Sequence, residues 1–153
     1  PMRLRLLAAC AATLILAGLA PAQTYYPYST SPGGSAGQTL GHPDHLFHPA
    51  VRVAGAVEPL PEPAGWYGFA YTVSASATVA GGLEYTPGGR LAAVWVHDGA
   101  GWLPHRTLDV TAALPVYFAF PTAALDTGDV LLQGVGYDGR TRTYLWAADG
   151  SVY

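Results

Sequence analysis

The sequence predicts an all-β chain in which a two-sheet β-sandwich of about seven short strands occupies residues 51–153. Three observations carry that expectation. Apolar residues alternate with small or polar ones at period two, Gly, Pro and Asp-Gly punctuate the runs, and no stretch has helical periodicity.

Residues 1–22 read as a secretory signal peptide. Arg3 and Arg5 supply a positive start, and Leu6 to Leu19 is an apolar run broken only by Thr13 and Gly18. Ala20-Pro21-Ala22 gives the small-x-small pattern of a cleavage site, so the mature chain is expected to begin at Gln23. A second reading takes Leu7-Ala8-Ala9-Cys10 as a lipobox, but most of the apolar run follows Cys10 rather than preceding it. The localisation expected is therefore exported: periplasm, cell surface or medium. No transmembrane span is expected in the mature chain, since the run is short for one.

Cys10 is the only cysteine, so the remainder has no disulfide and must be held by its core. Lys and Asn are absent while Ala, Gly, Pro and Val abound, which suggests a GC-rich bacterial genome. Setting aside Arg3 and Arg5 takes the net charge from −3 to −5. The other arginines are scattered, which argues against a nucleic-acid or anionic-membrane footprint.

Residues 23–50, rich in Tyr, Pro, Ser, Gly and His, are expected to form a flexible linker. Val51 to Val57 follows as an edge strand, stopped by Pro59, Pro61 and Pro63. Phe69 to Val79 reads as one long strand with Phe69, Tyr71 and Val73 on the buried face and Ala70, Thr72 and Ser74 on the wetter one. Leu91 to His97 is the next strand, ended by Asp98-Gly99, and Val116 to Phe120 another. Val130 to Tyr137 and Thr141 to Trp146 flank Asp138-Gly139, a hairpin signal that predicts antiparallel pairing.

The run Pro115, Phe118, Phe120, Thr122, Leu125, Gly128, Val130, Leu132, Tyr137, Asp138 and Gly139 resembles the bacterial immunoglobulin-like domains of extracellular proteins. Val94, Trp95, Val96, His97, Asp98 and Gly99 are similar to the apolar strand of that family that ends in Asp-Gly. The likeness spans residues 64–146. Pro121, Gly134 and Gly136 depart from the pattern. It implies an immunoglobulin-like sandwich in an extracellular setting, with no catalytic residues to carry over. In that fold Leu125 plugs the sandwich end, Gly128 takes a backbone conformation costly for other residues, and Trp95 is buried, with Gly134 and Gly136 leaving room for its ring.

Chemistry-bearing motifs are sparse. There is no Gly-x-Ser-x-Gly elbow, no phosphate-cradling loop and no His-Glu zinc helix, so the chain is not expected to be an enzyme. His42, His45 and His48, with Asp44 among them, form a candidate transition-metal cluster. In a polyproline II segment residues three apart advance about 9 Å, too stretched for three imidazoles on one ion, so a two-histidine site with another ligand is the form it would take. Asp126 and Asp129 are a candidate calcium pair. His97 and His105 read as structural, and Asp98 and Asp138 as turn formers.

With Trp95, Val130, Leu132 and Leu145 inward, alternation turns Val94, Val96, Leu131, Val135, Tyr137, Tyr144 and Trp146 outward as a candidate interface. The expectation is thus a non-catalytic module making protein contacts at the cell envelope. A carbohydrate-binding sandwich using exposed Trp and Tyr, and a metal-handling surface protein, are the other readings.

Overall fold

The computed structural model describes residues 24–40 and 46–153. The expected signal peptide and lipobox lie outside the described residues. So do His42, Asp44 and His45.

The all-β expectation holds, but the described residues form eleven strands in three antiparallel sheets rather than seven in two. The first sheet comprises β1 (Thr24–Ser31), β2 (Gly34–Leu40), β3 (His48–Val53) and β4 (Ala56–Pro59). The second comprises β5 (Tyr67–Val73), β6 (Val79–Thr86), β7 (Gly89–Val96) and β8 (Arg106–Leu108). A single turn of helix, α1 (Val110–Ala113), capped by the Asp109 side chain, leads to the third. That sheet holds β9 (Val116–Ala124), β10 (Val130–Gly136) and β11 (Thr141–Trp146). Each sheet is a meander in which hydrogen-bonded neighbours are consecutive in the chain. An immunoglobulin sandwich instead interleaves its strands between two sheets.

Three segments expected as single pieces are folded in two. The stretch from Thr24 to Leu40, expected as linker, is a hairpin whose second strand pairs with β3. Its backbone groups find partners in a sheet despite a composition that reads as loop. Val51 to Val57 breaks at Ala54-Gly55, both at positive φ, so β3 turns back on β4. Phe69 to Val79 likewise breaks at Ser74. The Ser74 hydroxyl accepts from the backbone N–H groups of Thr78 and Val79, and Ala77 has φ 59°. The β1–β2 tip docks on this turn so closely that a Cβ on Gly33 would lie 2.5 Å from the Ser74 carbonyl. Side-chain burial on β5 also runs opposite to expectation. Ala70 and Thr72 are buried and Phe69 and Tyr71 only partly so, because the small residues let another sheet approach.

The second sheet is the shared layer. On one face Ala80, Ala93 and Trp95 pack with Ala36, Val51 and Leu60 of the first sheet and its exit. On the other, Val79, Leu83, Ala92 and Val94 pack with Val116, Val130, Leu132 and Trp146 of the third. Trp95 is fully buried, as expected, but it points away from β10. The glycine that makes room for it is Gly82, where a Cβ would lie 2.9 Å from the indole. Gly134 instead accommodates Val116 and Tyr144, and Gly136 the Arg142 guanidinium.

The Asp138-Gly139 hairpin forms in the expected register, Val135 opposite Thr141 through Val130 opposite Trp146. Gly128 has φ +92°, as the corner requires, but Leu125 is exposed and does not plug the end.

Candidate functional site

A continuous band of half-buried aromatic rings runs along the second sheet, with Tyr71, Phe118 and Phe120 packed against the core beneath it. Alternation on β5 turns Tyr67, Phe69 and Tyr71 to one side. Tyr67 lies opposite Tyr85 in the β5–β6 register, and their rings stack at 5.0 Å with 7° between planes. Tyr85 meets Phe69 edge-on at 5.8 Å, and Phe47 sits 6.0 Å from Phe69. From β1, Tyr28 reaches Phe69 at 5.9 Å and Tyr71 at 5.5 Å. Beyond Tyr71 the band continues through Phe120 to Phe118, where the Arg90 guanidinium lies 4.2 Å above the ring. Such spacings lie within the favourable range for ring pairs.

β1 is anchored to this band by polar contacts. The Ser29 hydroxyl donates to the Tyr71 carbonyl at 2.5 Å, and the Ser31 hydroxyl to the Ser74 carbonyl at 3.2 Å. Burial raises the pKa of the Tyr71 and Tyr28 hydroxyls, and the neighbouring Tyr85 adds to both effects. They therefore remain neutral hydrogen-bonding groups across the ordinary pH range. Tyr28 is 49% exposed and is the most exposed ring of the band.

A second feature lies where two connections meet. Pro61, Glu62 and Pro63, between β4 and β5, face Pro104 and His105, between β7 and β8, across a cleft of about 270 Å³. Two histidine–carboxylate contacts back it. His48 Nδ1 pairs with Glu62 Oε1, and His105 Nε2 lies 2.6 Å from Glu84 Oε2. Glu84 is fully buried, and neither carboxylate oxygen makes a hydrogen bond, Oε2 meeting His105 Nε2 only as a close contact. The absence of a side chain at Gly68 admits Glu84, since a Cβ there would sit 3.3 Å from its Cγ. The His105 ring lies 5.5 Å from Trp95 and 6.0 Å from Trp66, and the Trp95 indole N–H donates to the Pro61 carbonyl at 2.7 Å.

The structure divides the sequence-predicted interface. Val94, 1% exposed, and Trp146, 2% exposed, belong to the core, with Val96 and Tyr144 packed against it. These four are corrections to the expected outward set. The third sheet packs through the face that carries Val130, Leu132, Tyr144 and Trp146, while Leu145 lies on the opposite face beside Leu131. Leu131 and Val135 sit half-exposed on that outer face, and Tyr137 at the hairpin is 73% exposed. Of the four tryptophans, Trp95 and Trp146 are buried and Trp66 and Trp102 half-buried, so none offers a free stacking plane.

The other candidates are separated. His48 is a buried strand residue paired with Glu62. Asp126 accepts from the Ser76 hydroxyl at 2.5 Å, which ties the β9–β10 corner to the Ser74 turn. Asp129 accepts from the Ala148 backbone at 2.7 Å and from the Thr127 hydroxyl. Hydrogen bonds from Ser74 and Ser76 hold the Asp126 carboxyl below its usual pKa range, and those from Thr127 and Ala148 do the same at Asp129. Among the described residues no group of three or more His, Cys, Asp or Glu side chains could hold a metal ion. His97 accepts from the Gly99 N–H, with its ring edge against Trp102. Asp98 and Asp138 cap their turns, as expected.

Sequence reasoning missed the aromatic band because two of its eight rings, Tyr28 and Phe47, come from the stretch read as linker and join rings from three other segments. It also missed the Glu84–His105 pair. The available signal was Glu84 itself, the single charge in the otherwise apolar run Val79–Tyr85.

Among the described residues no helix is long and apolar enough to cross a membrane. No family model matches the chain, and neither a curated protein nor a solved structure does. What stands is an all-β chain whose described residues form three antiparallel sheets.

Proposed function

We propose that this chain is a non-catalytic, exported module that docks other proteins at the bacterial cell envelope. The observation that carries the reading is the aromatic band, continuous from Phe47 to Phe118 and ending under Arg90. Aromatic rings and arginine are the groups enriched where proteins bind one another, and they dominate the energetics of such contacts. Tyr28 projects from this band on an outer strand of the first sheet, rigidly supported by two ring contacts.

Exposed Tyr137, with Leu131 and Val135 behind it, forms a smaller apolar area on the third sheet and is a secondary contact in this reading. The immunoglobulin-like likeness belongs to the same proposal as a local one: its Pro115–Gly139 residues build the corner between β9 and β10. Export rests on the Arg3–Ala22 pattern.

The test places a photo-crosslinking phenylalanine analogue at Tyr28 and, as a control, at exposed Thr107. Irradiation of the exported chain in its native envelope is expected to give discrete protein adducts from position 28 alone. Replacing Arg90 with Ser should weaken them. Equal labelling from both positions, or none from position 28, would reject the reading.

A further inference from the structure

We propose that the aromatic band takes an acidic peptide segment, whose carboxylate seats on Arg90 while an aromatic or proline residue of the same segment packs on Tyr28. The inference rests on the docking role proposed for the band and adds the chemistry of the partner.

Arg90 carries the argument. It lies opposite Tyr85 in the β6–β7 register, so its side chain shares the face of the band. The guanidinium is half-buried, 4.2 Å from the centre of the Phe118 ring, and among the described residues it forms no hydrogen bond and no ion pair. Other arginines are occupied. Arg106 donates to the carbonyls of Ala147, Ala148 and Gly128, and Arg142 pairs with Asp138.

A guanidinium stays charged at every ordinary pH, and its planar fork of N–H donors matches a carboxylate with two parallel hydrogen bonds. No acid of this chain takes that place. The Tyr71 hydroxyl feels Arg90 and two neighbouring tyrosines but no carboxylate. Glu84 precedes Tyr85 in the chain, yet alternation turns it to the opposite face, where it is buried. The chain as a whole carries −3, so a general attraction for acidic partners is absent. The pairing at Arg90 acts locally and fixes where the segment sits.

The rings set the length of the segment. From Phe118 the band reaches Tyr28 through Phe120 and Tyr71 in steps of 5.4, 5.9 and 5.5 Å. An extended chain rises about 3.3 Å per residue, so the carboxylate and the packing residue are separated by no more than about five positions. Tyr28, the most exposed ring of the band, offers the apolar surface at the far end. Aromatic and proline side chains are the groups that pack on such rings.

The test selects a phage-displayed library of random short peptides on the full chain and, in parallel, on Arg90→Glu and Arg90→Lys. Peptides enriched on the parent chain should carry Asp or Glu within about five residues of an aromatic residue or proline. Arg90→Glu should exchange that acid for Lys or Arg, and Arg90→Lys should keep it with weaker binding. In the best parent peptide, made synthetically, changing the acid to its amide should raise the dissociation constant by about tenfold or more. If Arg90→Glu shows no cooperative urea transition, Arg90→Lys and the acid–amide peptide pair decide the question. Enrichment of peptides without an acid, or of the same peptides on the parent and on folded Arg90→Glu, would overturn the proposal. So would retention of polygalacturonate with no acidic peptide enriched, which would assign the band to an acidic polysaccharide. Cross-links from position 28 alongside acid-free selections would remove only the acidic partner and leave the docking role standing.

Discussion

The two faces of the middle sheet are built on different principles. Toward the third sheet it packs branched aliphatic residues, Val79, Leu83 and Val94 against Val116, Val130 and Leu132. Toward the first sheet it sets one large ring, Trp95, among alanines at 36, 70, 77, 80 and 93. The strands of this second interface also carry buried polar groups, Gln38 on β2 and Glu84 on β6. Small side chains let backbones approach and leave room for a buried carboxyl near the edge; a dry aliphatic layer does not. Stability is thus spread over one interface and concentrated in a single ring in the other, which is also the one that opens to the cleft.

The largest effects should come from the cores. Trp95→Ala is expected to cost about 3–5 kcal/mol, because the surrounding alanines cannot collapse into the space left behind. Leu132→Ala, in the aliphatic layer, should cost about 2–5 kcal/mol, toward the lower end if its neighbours relax. Urea denaturation of both variants measures the contrast. A Trp95→Ala variant that is milder than Leu132→Ala would mean that the alanine-rich interface is not organised around its tryptophan.

The buried contact between Glu84 and His105 is expected to matter less. Glu84→Leu leaves the His105 nitrogen facing an apolar group and should cost about 1–3 kcal/mol. Adding His105→Phe replaces both partners by apolar groups and should recover most of the loss. A double variant less stable than the single one would show that the pair itself specifies the packing of the two connections.

Tyr137→Ser, at the exposed hairpin, should change stability by no more than about 0.5 kcal/mol. Trp146→Ser, expected from sequence to be equally harmless, should instead behave as a core deletion, because that ring is buried.

The smallest effect is electrostatic and local. The Arg142 guanidinium, then the Arg140 backbone N–H, hold the exposed Asp138 carboxyl at about 2. Its contribution is therefore complete above the ordinary value of 3.8 and is lost as pH falls through about 2. NMR titration of the Asp138 carboxyl carbon should give that midpoint, and Arg142→Gln should move it up.

Strand alternation and turn chemistry made the third sheet legible. Asp138-Gly139 fixed its hairpin, Gly128 its corner, and Thr141–Trp146 forms the strand the spacing predicts. Each of these signals is short-range, decided by φ/ψ preference within a few residues. The same local logic misread Thr24–Leu40, since Gly, Ser and Pro are poor strand formers unless an existing sheet supplies partners.

The sequence by itself determined that the chain is all-β, where the Asp98-Gly99, Gly128 and Asp138-Gly139 turns fall, and that Trp95 is buried. It did not decide which face of a strand is inside. Alternation defines two faces, and with a third sheet present both faces of the middle one are covered, so exposure cannot be inferred from parity. Only the tertiary structure placed Trp146 in the core and Tyr28 beside Tyr71. The same holds for His105 against Glu84, two residues with no sequence motif between them. These contacts join segments far apart in the chain, and they exist because packing the sheets, not any local preference, brings those segments together.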